Sequence, residues 1–285
     1  MTATLDVLRH GHVNQFAYDY DHVLNFYRDV FDAEVFMEFK EPDFGGANAV
    51  YLAGAACFEV FAPTDPDKAI GTTLKRFGQR WHSLEWTVPN LDEAIEIANQ
   101  RGLRITDQSP GNYIFLHPRD CQGLCLELTT AYFKDDPRGE DNWDPAVGAN
   151  SNPVGLAGGP TVTLCVPDAE SSVVWMSEFT NREPSRTHAG TAENSFAIDF
   201  NDHIVEFITP TAKAREADIK AALDARGPSI YAVTLPVRSL DAAKNVLESK
   251  GLSVAEIETP QYTLLALDES ATDGARIQFR ETVSV

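Results

Sequence analysis

Four segments of the chain open with a short apolar run, pass through an acidic or capping residue and continue as an amphipathic helix. They are HVNQFAYDYDHVLNFY from His12, SLEWTVPNLDEAIEIA from Ser83, TVTLCVPDAESSVVWM from Thr161 and AVTLPVRSLDAAKNVL from Ala232. In the second, Leu91, Ala94, Ile95 and Ala98 fall at i, i+3, i+4 and i+7, one face of a helix. Asn90 is placed to cap it, Glu93 stands in the capping-box position and Gly102 lies just past the end. In the fourth, Leu240, Ala243 and Leu247 form a similar face, with Ser239 as cap and Gly251 as terminator. Strand-like runs follow each helix, among them Glu34–Phe39, Ala49–Leu52, Cys57–Ala62, Tyr113–Leu116 and Leu124–Leu128. The pattern predicts an α+β fold of four βαβββ modules, paired into two halves. Each half is a curved sheet with a trough lined by alternate side chains.

Residues 132–159, rich in Asp, Asn, Pro and Gly, have neither helical nor strand periodicity and are expected to be a linker. It separates a first domain, 1–131, from a second, 160–285. Val88 and Val237 are 149 residues apart, Glu59 and Glu206 147, and Gly123 and Gly274 151. Three offsets so close to one another point to a duplication.

Composition narrows the partners. The formal net charge is −20, with 43 acidic against 23 basic residues, and both halves are acidic. Such a surface repels a phosphate backbone or an anionic membrane, so neither nucleic acid nor membrane is expected as a partner. The four cysteines, Cys57, Cys121, Cys125 and Cys165, show no disulfide framework and no CxxC pair. The first residues lack an apolar core of signal-peptide length, and the expected location is the cytoplasm.

The opening from His12 through Phe26-Tyr27-Arg28 and Val30, the strand FEVFAP at 58–63 and the hairpin YIFLHPRDCQGLCLEL at 113–128 resemble the vicinal oxygen chelate superfamily. That superfamily takes in glyoxalase I, methylmalonyl-CoA epimerase, extradiol dioxygenases and the bleomycin-resistance proteins. The hairpin is most similar to the epimerases, and the resemblance is stronger over 8–130 than over 160–282. It implies a divalent metal, Zn, Ni, Co, Mn or Fe, held at four trough positions. Carried over residue by residue, these fall on His12, Glu59 and Glu127. The third falls on Ser83, with His82 one residue early, so His82 would join the metal set only through a bulge or insertion. Glu59 and Glu127 each sit in an otherwise apolar strand, where an inward carboxylate is costly unless paired or bound to a cation.

The resemblance implies a metal-dependent isomerase, epimerase or lyase. It would act on a small oxygenated substrate through a metal-chelated enediolate, with Glu59 or Glu127 as the proton-transferring base. Two alternatives stay open. One is a non-catalytic, resistance-type binding protein, whose trough Phe16, Tyr51, Trp86 and Trp175 would line. The other is an extradiol-type dioxygenase, which requires His82 in the site and Glu59 out of it. The second half, with Thr161, Glu206, Ala232 and Gln278 at the matching positions, is expected to be structural, or a wall or lid over the first. His188 lies in a loop within reach of a ligand, and His117 is expected to be a turn residue. The expected partner is a small-molecule substrate, and a homodimer is one assembly that paired modules form.

Overall fold

The computed structural model describes residues 3–130, 133–140, 143, 152–186 and 189–282. The first sheet is built from Arg9–Phe16 (β1), Glu34–Glu41 (β2), Gly46–Ala53 (β3), Ala56–Pro63 (β4), Arg80–Thr87 (β5), Ile105–Ser109 (β6), Tyr113–Leu116 (β7) and Cys125–Thr129 (β8). Their order across the sheet is β2-β3-β4-β1-β5-β8-β7-β6. The second sheet contains Thr161–Cys165 (β9), Pro184–Ser185 (β10), Asn194–Asp199 (β11), Ile204–Thr209 (β12), Ser229–Val237 (β13), Val254–Glu258 (β14), Thr263–Leu267 (β15) and Ile277–Glu281 (β16). Its order, β10-β11-β12-β9-β13-β16-β15-β14, repeats the first with every number raised by eight. In each sheet the two modules meet at one antiparallel seam, β1 on β5 and β9 on β13. Strand β4 runs parallel to β1, as β8 does to β5.

The four module helices are Tyr20–Phe31 (α1), Leu91–Gln100 (α3), Ala169–Thr180 (α4) and Leu240–Ser249 (α6). Each begins at a residue whose side chain accepts a backbone N–H of the first turn: Asp19, Asn90, Asp168 and Ser239. Such a cap satisfies a donor that the helix leaves orphaned. Two further helices, Ala69–Phe77 (α2) and Ala217–Arg226 (α5), connect the modules within each half and have no side-chain cap.

One continuous core joins the halves. It includes Val13, Leu84, Trp86 and Leu126 from the first sheet, Val162, Leu164, Val233 and Phe279 from the second, and the apolar faces of the module helices. The opposite face of the first sheet is the trough. Within the stretch expected as a linker, Phe133 and Trp143 pack on Val50, Leu52 and Cys57. Pro137–Gly139 forms one 3-10 turn, in which Arg138 donates to the carbonyls of His10 and Gly11.

Two bulges at the β1–β5 seam set which side chains face the trough. Register shifts between His10 and Val13, so His10, His12 and Asn14 do not share a face despite their even spacing. His10 pairs with Trp86 and points toward the second half, whereas His12 and Asn14 point into the trough.

His10 belongs to a clamp between the halves. Cys57 N–H donates to His10 Nε2, and Trp86 Nε1–H donates to His203 Nε2. That leaves each Nδ1 to donate to Asp202, at 3.2 Å from His10 and 2.7 Å from His203, and Asp202 also accepts the His10 N–H at 2.8 Å. The three side chains have the spacing of a metal site, but every ring nitrogen already has a partner, so the group is a structural clamp.

Burial pushes His10 down to about 4. Burial alone would raise Asp202, but hydrogen bonds from His10 and His203 hold it well below the usual carboxylate range. Both folded-state values lie below the unfolded ones. Their contribution is therefore present at neutral pH and is lost on acidification, for His10 as pH falls from 6.5 toward 4. Urea unfolding should show stability falling over that interval. Asp202→Ala, which strips three donors of their acceptor, should cost about 2 kcal/mol at pH 7 and flatten the acid limb.

Candidate metal centre

The four central strands of the first sheet, β4-β1-β5-β8, each send a titratable side chain into the trough. Period-two alternation buries Val13, Phe58, Val60, Leu84, Trp86, Leu126 and Leu128 in the core and leaves the intervening positions for the cavity. Glu59, His12, Glu85 and Glu127 occupy those positions, all buried. His12 Nε2 lies 2.9 Å from Glu59 Oε2 and 3.6 Å from Glu127 Oε2, and His12 Nδ1 lies 3.5 Å from Glu85 Oε1.

The surroundings fix these groups. Asn14 Nδ2 donates to Glu59 Oε2 at 3.0 Å and Asn48 Nδ2 to Glu59 Oε1 at 3.2 Å, so both carboxylate oxygens are oriented. Glu85 lies directly over Gly11, where a Cβ would fall 1.8 Å from Glu85 Oε1. Phe133 stacks on the His12 ring with centroids 6.1 Å apart.

Three carboxylates around one imidazole leave an excess of negative charge in a buried site. Burial pushes Glu85 up to about 8; His12 opposes the rise, and Glu127 and Glu59 add to it. Burial raises Glu127 as well. Burial by itself would pull His12 down, but Glu85, Glu59 and Glu127 together hold it well above its usual value. His12 Nδ1 makes no hydrogen bond, and ligand atoms of His12, Glu85 and Glu127 lie within 4.8 Å of one another. One nitrogen and several carboxylate oxygens form a donor set that suits Zn, Ni, Co, Mn or Fe as divalent ions. Thiolate ligation is disfavoured, because burial pushes Cys125, the cysteine that lines the cavity, up to about 12.

Of the residues expected from sequence, His12, Glu59 and Glu127 are brought together and His82 is not. A bulge does occur at His82, because Asn14 pairs with Ser83 while Gln15 pairs with Trp81. It turns His82 to the cavity face, but farther along the trough, where the ring stacks on Phe16 at 4.0 Å. Ser83 is buried beside Asn14, and its hydroxyl has no partner. The residue that sequence reasoning missed is Glu85, two positions beyond Ser83 and hence on the same face. Its signal was available: like Glu59 and Glu127, it is a lone carboxylate in an apolar strand, SLEWTV. Of the four aromatic residues expected to line the trough, only Phe16 does. Tyr51 and Trp86 are in the core, and Trp175 packs against it. His117 reaches the cavity wall, and His188 lies outside the described residues.

The second half provides a control. Register equates Thr161, Thr234, Gln278 and Glu206 with His12, Glu85, Glu127 and Glu59. Its single carboxylate, Glu206, is saturated by the N–H groups of Gly190 and Thr191 and the hydroxyls of Thr191 and Thr163. Thr234 donates to Gln278. With one carboxylate instead of three, and that one satisfied by the loop at Gly190 and Thr191, no cation is called for.

No protein-family profile matches the chain. Mouse mitochondrial methylmalonyl-CoA epimerase is 29% identical over 130 residues, which are 43% of this chain and 73% of that protein. Among solved structures, a triple mutant of 4-hydroxymandelate synthase from Streptomyces coelicolor aligns over 99% of this chain and 94% of its own, with a TM-score of 0.66 and 11% identity. Methylmalonyl-CoA epimerase from Mycobacterium tuberculosis is 26% identical over 47% of this chain and 95% of its own, with a TM-score of 0.41. The chain has the vicinal oxygen chelate fold in duplicate. Among the described residues no helix is long and apolar enough to cross a membrane.

Gly11→Ala tests the arrangement with a single methyl group. The Cβ must displace the Glu85 carboxylate, so metal content measured by inductively coupled plasma mass spectrometry should fall to the level of Glu85→Gln, with the circular dichroism spectrum unchanged.

Proposed function

We propose that this chain is a metal-dependent enzyme that moves a proton at a carbon next to a carbonyl, in the manner of an isomerase, epimerase or lyase, on a small oxygenated substrate. The observation that carries the reading is the excess of buried carboxylate around His12 in one half, set against the single, fully hydrogen-bonded Glu206 in the other. His12, Glu59, Glu85 and Glu127 would hold the ion. The chemistry a divalent ion would supply there is polarisation of a substrate carbonyl and stabilisation of negative charge on its oxygen.

The chain's own groups then divide the work. Glu59 is held in place by the amides of Asn14 and Asn48. Glu127 has the most open side chain of the four at 10% exposure and receives neither amide, so it is assigned the proton transfer. Phe133, stacked on His12, walls one side of the cluster. The identity shared with an epimerase supports the isomerase side of this reading. The ring-cleaving alternative needs His82 in and Glu59 out, opposite to the observed arrangement. The sequestration alternative loses support because, of the four aromatic residues expected to line its trough, only Phe16 reaches the cavity. We further assign the chemistry to residues 1–131 and a walling role to 160–285, which contributes Val166, Pro167 and Pro228 to the cavity.

Protein purified without added metal should hold close to one equivalent of a transition metal. At a free-metal concentration 100 times Kd, the ion should stabilise the fold by about 2.7 kcal/mol. Less than about a tenth of an equivalent, with no rescue by Zn, Ni, Co, Mn or Fe(II), would overturn the reading. Glu127→Gln should lower solvent-deuterium exchange next to the carbonyl by about 10²–10⁴-fold, read by NMR across a panel of α-substituted thioesters and hydroxyketones.

A further inference from the structure

The cavity above the carboxylates is far larger than the centre needs. Its volume is about 1480 Å³, above the roughly 300–1,000 Å³ of an ordinary small-molecule site. A small oxygenated compound at His12 would leave most of it unfilled. The cavity runs along the strands toward Arg80, five residues before Glu85 on β5, a span of about 16 Å. Aromatic groups line the way: Phe16 stacks on His82 and lies 5.5 Å from Phe61.

At the far end three guanidiniums gather from separate segments. Arg76 comes from α2, Arg80 from β5 and Arg226 from the end of α5 in the second half, and all three line the cavity. Arg76 and Arg80 both contact the Phe77 ring, at 4.8 and 5.2 Å. Phe77 is 47% exposed, one of few large apolar side chains left in solvent. Burial and the charge of Arg226 both lower Arg80. In a chain with 20 more acids than bases, chance alone would surround such arginines with carboxylates. Among the described residues none of the three has a carboxylate partner. The acids that line the cavity, Glu41, Glu59, Glu85, Asp107 and Glu127, come from other parts of its wall.

We infer that Arg76, Arg80 and Arg226 form an anion subsite at the mouth of the cavity, and that its ligand is an elongated amphipathic organic anion. The anionic group is held by the guanidiniums, the apolar or aromatic body lies along Phe77, Phe16 and Phe61, and the far end reaches the carboxylate cluster. Only that last clause rests on the proposed function. The subsite itself is independent of the metal, and binding can be measured without it. Because Arg226 comes from the second half, that half would take part in recognition as well as in walling the cavity.

Two fluorescent probes with the same aromatic body separate charge recognition from apolar binding: 8-anilinonaphthalene-1-sulfonate and the neutral N-phenyl-1-naphthylamine. Full-length protein, both chelator-treated and metal-loaded, should bind the sulfonate at least about tenfold more tightly than the neutral probe. Arg80→Ala/Arg226→Ala should bring the two affinities close to parity. Arg76→Ala/Arg226→Ala, which alters only exposed side chains, should cut the preference by about half or more on a logarithmic scale. Lys220→Ala, an exposed charge away from the cavity, should leave it unchanged. Equal affinity for the two probes in the parent protein, or an undiminished preference in the Arg76→Ala/Arg226→Ala variant, overturns the inference. Absence of metal with the preference intact would overturn the proposed enzyme while sparing the subsite.

Discussion

Buried negative charge is the constraint around which the first half is organised. Three carboxylates within reach of one imidazole cannot all stay ionised in a water-poor trough unless a positive charge joins them. The neighbouring features follow from that demand. Gly11 has no side chain because Glu85 occupies its space, Asn14 and Asn48 spend their amides on Glu59, and Phe133 lies over His12 as a cover. Arg138, although buried nearby, spends its donors on Asp136 and two backbone carbonyls and forms no ion pair with the cluster.

The seam between β1 and β5 makes this possible. A regular antiparallel pair would have put His10 and His12 on one face. The bulge at Gly11–His12 separates them, sending one imidazole to the trough and the other to the clamp that binds the two halves through Asp202. One local irregularity therefore links the geometry of the site to the docking of the second half.

Much of this was legible in the sequence, and the limits have physical causes. The four module helices announced themselves through an apolar run, an acidic or capping residue and an amphipathic stretch, with Asn90 and Ser239 legible as caps; Asp19 and Asp168 prove to cap the other two. Helices α2 and α5 have no side-chain cap, and they escaped notice. The repeat was visible in three residue offsets: strand register bears out Glu59 with Glu206, and Gly123 and Gly274 both take a positive φ just ahead of the last strand of their halves. His12, Glu59 and Glu127 could be found because the family resemblance carried over onto them without gaps, and Glu59 and Glu127 also stand as lone carboxylates in apolar strands. His82 was ambiguous because a bulge sits on it, and a bulge leaves no mark in a hydrophobic pattern. Glu85 was overlooked because the family register pointed to Ser83, although its apolar neighbours carried the same signal as those of Glu59. The arginines at the mouth come from positions 76, 80 and 226, and no linear reading would have joined them.

Glu206 has a consequence for how the molecule comes into being. Its oxygens are satisfied by amides and hydroxyls that the chain carries with it, so the interior of the second half is complete as soon as it has folded. On the proposed reading, the first half depends instead on an ion delivered from outside. A cell short of that ion would then make a protein finished on one side and awaiting its last component on the other.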